Sequence, residues 1–269
     1  MVKIQEMLHP DAIKKAALAT WEQDKDIFAQ AFQHIPGNQS IIILFEWDND
    51  AQCKEINNTI VICLGSSWLN HTQEEKHFTL CHEIGHYVLG HTKITKNLGF
   101  SDGIKALINK EQYYAELRTQ ERDADLYAAQ CGTAKDGISY FTKIHNEYVT
   151  TITDFFNNCC DIWQIIAKND AIISQPEIAH YQEKIQQNNF DGKIFNQAMQ
   201  QRVIDHLTIH DPSYTGDKAN AKAYVTRQLS MYPINIMNTV TLILHLDPEH
   251  PTPFERITYL TQWQTDNAS

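Results

Sequence analysis

Glycine and proline are scarce, with 10 and 8 residues in a chain of 269. At its usual share of about 7%, glycine alone would number about 19. The scarcity excludes a turn-rich β protein and favours long helices. Long apolar runs are also missing. The longest, IIILF at residues 41–45, is strand-length and runs into Glu46, Asp48 and Asp50, far short of the roughly 18–20 residues that cross a bilayer. The opening MVKIQEMLHPDAIKKAALATW lacks the uninterrupted apolar core of a secretory signal. A cytoplasmic protein is therefore expected, with delivery by a leaderless route left open. Basic excess is absent too: Lys and Arg total 22 against 33 Asp and Glu, a net charge of -11. That balance argues against nucleic-acid partners and anionic membranes. Finally, Cys53, Cys63, Cys81, Cys131, Cys159 and Cys160 form no C-x-x-C pair and read as buried thiols in a reducing compartment.

What is present is an ordinary globular composition, 42% hydrophobic and 20% charged, long enough for one domain plus a sizeable insertion. Apolar residues at helical spacing over 8–34 (Ile13, Ala16, Ala17, Trp21, Ile27, Phe28, Phe32) are stopped by IPGNQS. Strands are expected at 41–47 and 58–64 from their β-branched content. Thr72 followed by Glu75 fits a capping box, starting a helix that runs to Gly90. A second helix is expected from Gln112 to Cys131, and further helices at 137–148 and 152–167. The polar, helical stretch 176–245 follows, and a last helix begins after Pro251 and Pro253. The fold class expected is mainly α with a small β-sheet (α+β). Residues 1–150 and 246–269 would form the core, and 151–245 a helical insertion.

Inside the first of the two central helices, His82, Glu83 and His86 form H-E-x-x-H. Residues four apart share a helix face about 6 Å apart, so two imidazoles converge on one ion while Glu83 stands ready to take a proton from water. Zinc suits such a set, because a carboxylate as third ligand leaves a fourth position open. The metzincin pattern would put Gly at 89 and His at 92; Leu89 and Thr92 stand there, with Gly90 and His91 out of register. His91, beyond the helix stop, is therefore not expected to bind the metal. His77, about 140° around the helix from His82, is expected on the surface. The third ligand must come from elsewhere. In the second helix Tyr114, Leu117, Glu121, Ala124, Asp125 and Ala128 share a face at 100° per residue. Two carboxylates on an apolar stripe are costly to bury without compensation. Glu121 as ligand and Asp125 as acceptor of a histidine N–H would compensate both.

These residues resemble the zinc metallopeptidases that include HtpX, BepA and the CAAX prenyl endopeptidases. The likeness rests on NTIVICLGSSWLNHTQEEKHFTLCHEIGHYVLGH, on ERDADLYAAQCG and on EHPTPFERITYL. The last is similar to that family's late H-P-x-x-x-x-R signature. The resemblance implies a zincin-like core holding one zinc ion through His82, His86 and Glu121, with Asp125 supporting a histidine. It also implies that His250 and Arg256 approach the site as an added zinc contact or for substrate and transition-state stabilisation. A neighbouring family, the ImmA/IrrE-like soluble metallopeptidases, shares H-E-x-x-H-x-x-x-G-H and an acidic third-ligand helix; the late signature favours the first.

The function expected is a zinc-dependent endopeptidase of the gluzincin kind, with Glu83 as general base and a protein or peptide as substrate. The strand NTIVICL is expected to pair with an extended substrate segment. Two alternatives stay open: an ImmA/IrrE-like regulator cleaving one repressor-like protein, and a non-proteolytic, chaperone-like partner-binding protein.

Overall fold

The computed structural model describes residues 2–4, 11–37, 39–45, 51–94, 110–169, 171–232 and 249–268; side chains at 2–4, 11–21, 66, 93 and 94 are outside this description. Residues 46 and 47 of the strand expected at 41–47, and 233–248, therefore lie outside it. Contacts divide the chain into two compact units, Met1–Thr142 with Pro248–Ser269, and Lys143–Asp247.

The first unit holds a mixed four-stranded sheet in the order β1-β2-β4-β3. Its strands are β1 (Val2–Ile4), β2 (Ser40–Phe45), β3 (Gln52–Ile56) and β4 (Thr59–Leu64). β1 runs parallel to β2 and β2 to β4, with Ile43 opposite Ile62, while β3 returns antiparallel to β4. Asn57 and Asn58, at φ of 48° and 63°, make the two-residue turn between β3 and β4. Asparagine tolerates that left-handed geometry better than most residues. β4 is covered on both faces, Ile60 to Leu64 all being buried. It lies between β2 and β3, so it has no free edge, and the expectation that it pairs with substrate is corrected.

Helix α1 (Asp11–Phe32) and helix α2 (Gln73–Val88) pack together. Phe28 stacks on Trp68 at 5.8 Å. Buried Asp24 accepts from the Trp68 indole at 3.0 Å, from Gln73 at 3.0 Å and from the Lys76 ammonium at 2.9 Å. The capping box of α2 is present: Thr72 accepts from the Glu75 N–H and Glu75 from the Thr72 N–H. At the other end Gly90 has φ +82°, a left-handed turn after which α3 (His91–Ile94) begins. α4 (Lys110–Ala128) crosses α2 at Gly85, where an added Cβ would meet the Ala124 carbonyl oxygen at 3.1 Å. Its end widens over Ala129–Thr133, and Gly132 at φ 92° breaks it.

One helix, α5 (Ala134–Ala167), replaces the two expected at 137–148 and 152–167. The β-branched Thr150 and Thr151 do not break it, because their hydroxyls bond back to the carbonyls of Asn146 and Glu147 at 2.8 and 2.9 Å. The apolar stripe of Tyr148, Ile152, Phe156, Cys159 and Trp163 runs through unbroken.

The second unit adds α6 (Gln175–Gln186), α7 (Gly192–His210) and α8 (Lys218–Leu229). Their core is aromatic: Phe156, Tyr181, Phe190 and Phe195 meet at ring separations of 4.9 to 6.0 Å. The buried Trp163 indole donates to Asn196 at 3.0 Å. α9 (Pro253–Asp266) belongs to the first unit, opened by a Thr252–Glu255 capping box with Pro253 in its first turn. All six cysteines are free, with Cys53 and Cys131 only partly buried, against the expectation for those two. No helix among the described residues is long and apolar enough to cross a membrane.

Candidate metal centre

α2 carries His82 and His86 one turn apart on the face that meets α4, which carries Glu121 and Asp125. Nε2 of His82 lies 3.1 Å from Nε2 of His86 and 3.3 Å from Oε2 of Glu121. Nε2 of His86 lies 3.2 Å from Oε1 of Glu121. One ligand atom from each of the three residues falls within 4.8 Å of the others.

The partners of the outer ring nitrogens decide what the inner ones offer. Nδ1 of His82 faces Oδ1 of Asp125 at 2.8 Å. A carboxylate only accepts, so Nδ1 carries a proton, and Nε2 either holds a second proton or, with a metal bound, would turn its lone pair to it. Nδ1 of His86 lies 3.0 Å from Nδ1 of His91. Two lone pairs and a carboxylate facing one another repel unless a cation lies among them. Oε2 of Glu121 is shielded from solvent, with imidazole nitrogens of His82 at 3.3 Å and His250 at 3.4 Å as its near polar neighbours. Burial works against a charged His82, yet the Asp125 and Glu121 carboxylates raise its pKa to about 10. Burial also opposes ionised Glu121, but the two histidines hold its carboxyl far below the usual range. The donor set thus calls for a positive charge at its centre and fits a metal cation.

Asp125 is fully buried and accepts from three side chains. Besides His82 it receives Nε of Arg256 at 2.7 Å, Nη2 of Arg256 at 2.5 Å, and the Tyr259 hydroxyl. Burial pushes its pKa up, but the Arg256 charge and the His82 bond outweigh that and bring it to about 2. The guanidinium also lies over the Phe141 ring at 4.1 Å, a cation–π contact. Arg256 reaches Glu121 only at 4.0 Å, so its hydrogen bonds go to Asp125. His250, just before α9, has Nε2 3.4 Å from Oε2 of Glu121, with its side chain 43% exposed.

Glu83 is buried beside the histidines. Burial raises its pKa to about 7, against the pull of the His82 charge and of a hydrogen bond from the Cys53 backbone. That bond links the carboxylate to β3, at the sheet's edge. His77 is half-buried, not on the surface as expected. Burial lowers its pKa against the opposing charge of Asp136, on α5.

The structure therefore brings His82, Glu83, His86, Glu121, Asp125, His250 and Arg256 together. Sequence reasoning missed Tyr259, the β3 edge and the contact of His91 with His86. Tyr259 could have been found three residues after Arg256, on one helix face. His91 was set aside because of the stop at Gly90, yet that left-handed turn accompanies its return to His86.

The chain is mainly helical with a small mixed sheet, and it gathers His82, His86 and Glu121 into a set that could hold a metal ion. Residues 46–130, about a third of the chain, match the IrrE N-terminal-like domain model of peptidase family M78. No curated protein and no solved structure matches the chain. The matching model is that of the neighbouring, IrrE-like family named above, and the match covers the H-E-x-x-H helix and the acidic helix. The late signature that favoured HtpX, BepA and the CAAX endopeptidases lies outside the matched span, and its arginine is engaged by Asp125.

Proposed function

We propose that the chain is a zinc-dependent endopeptidase of the IrrE-like kind, cleaving a specific protein partner, of the repressor-like sort suggested by that family. The convergence of the two Nε2 atoms and the Glu121 carboxylate beside Glu83, within the matched span, carries this reading. His82, His86 and Glu121 would hold the zinc ion, which when bound would supply a Lewis acid for water and for a peptide carbonyl. Glu83 takes a proton from the attacking water and delivers it to the leaving amine. Asp125 keeps His82 in the tautomer that frees Nε2, and Arg256 in turn holds Asp125 ionised. His250, beside Glu121 and partly open to solvent, stabilises charge on the attacked carbonyl oxygen.

Substrate pairing belongs to β3. Its bond from Cys53 to Glu83 requires the Cys53 backbone groups to face away from β4, and by the two-residue repeat those of Glu55 do so as well. An extended segment added at that edge lies next to Glu83.

The test is terminal-peptide profiling of cell extract treated with the wild type or with Glu83→Gln. The expected result is a small set of new termini, lost at least about 100-fold in the variant, whose zinc content equals the wild type's. Casein is expected to remain uncleaved. Equal cleavage by both proteins overturns the mechanism, while broad cleavage by the wild type alone overturns the restricted substrate and leaves the peptidase.

A further inference from the structure

The two metal-facing histidines have unlike supports. His82 leans on a carboxylate that is itself held by Arg256 and Tyr259; His86 leans on another imidazole. We infer that His91 is a positioning residue for the metal centre: it accepts the Nδ1 proton of His86 and so fixes the tautomer and ring angle that present Nε2. The inference rests on the metal reading above.

The geometry carries it. For His86 to offer Nε2, its proton must sit on Nδ1, and a buried N–H needs an acceptor. Nδ1 of His91 stands at 3.0 Å, the rings meeting at 66° with centroids 5.2 Å apart. With Nδ1 accepting, the His91 proton sits on Nε2. Backbone geometry delivers the ring to this place. α2 closes at Leu89, whose N–H still bonds to Gly85 at 2.9 Å. Gly90 at φ +82° then reverses the chain, and His91 opens α3 beside the helix it has just left. An imidazole is a weaker acceptor than a carboxylate, so His86 is the less polarised ligand of the two, and its affinity depends more on correct orientation.

The experiment measures zinc affinity of the full chain by competition with a chromophoric chelator, and the visible spectrum of the cobalt-substituted protein. His91→Ala and His91→Phe are expected to weaken zinc about 10- to 100-fold and to shift the cobalt bands. His91→Asn, whose Oδ1 can occupy the place of Nδ1, is expected to recover most of the affinity. His86→Ala is expected to lose the metal altogether. Wild-type affinity in His91→Phe overturns the inference, since ring volume alone would then suffice. Loss of metal in His91→Ala as complete as in His86→Ala also overturns it, making His91 a ligand. Failure of the wild type to bind zinc or cobalt sinks the metal reading itself.

Discussion

Asp125 accepts four hydrogen bonds from three side chains. One buried carboxylate receives an imidazole, a guanidinium and a phenol, and each donor offsets part of the cost of keeping its charge out of water. Arg256→Met would leave that carboxylate short of its main counter-charge. Unfolding of the zinc-free protein in urea should show a loss of about 3–5 kcal/mol, and zinc affinity should fall about 10- to 100-fold as His82 loses its fixed orientation. Tyr259→Phe removes a single bond to a charged acceptor and should cost about 1.5–3 kcal/mol. Equal effects of the two variants would contradict the ranking. Asp125 was legible in the sequence because an acid on an apolar helix stripe requires a partner. Tyr259, 134 residues away, was not, because nothing local marks which tyrosine will reach it.

At the scale of elements, the sequence announced those whose ends carry their own chemistry. Thr72 and Glu75 at the start of α2, Gly90 at its end and Pro253 at the start of α9 act through hydrogen bonds and backbone angles within a few residues. β3 was hidden, since QCKEI has little β character of its own and is held in the sheet by β4 and the two-asparagine turn. The fusion of the helices expected at 137–148 and 152–167 into α5 was hidden because tertiary packing, which local propensity does not report, carries the helix through the residues between them. The tie between α1 and α2 was invisible for want of any local pattern joining Asp24 to Lys76, both nearly inaccessible to solvent. Asp24→Ala should strand the Lys76 ammonium and destabilise the first unit by about 3–5 kcal/mol. Chemical denaturation of that variant checks it; a change below about 1 kcal/mol would mean the pair behaves as a surface bridge.

For the whole molecule, the division into a unit with the candidate metal site and a helical one has a thermodynamic consequence. Each has its own apolar core. Phe78, Leu80, Ile84 and the β4 residues serve the first; Phe156, Trp163, Phe190 and Phe195 serve the second. The candidate ligands His82, His86 and Glu121 belong to the first. A helical insertion over 151–245 was expected from a polar, turn-punctuated sequence; residues 150 and 151 lie inside α5, a continuous helix with no breaker there. Calorimetry of the full chain should resolve two unfolding transitions. Zinc at about 100 times its dissociation constant should stabilise one of them by about 2.7 kcal/mol and leave the other in place. Phe195→Ala, emptying a buried site in the second core, should lower the zinc-insensitive transition by about 3–5 kcal/mol with the zinc response of the first intact. If zinc instead moves both transitions together, or Phe195→Ala abolishes the zinc response, the two cores unfold as one and the helical segment is part of what holds the metal site in shape.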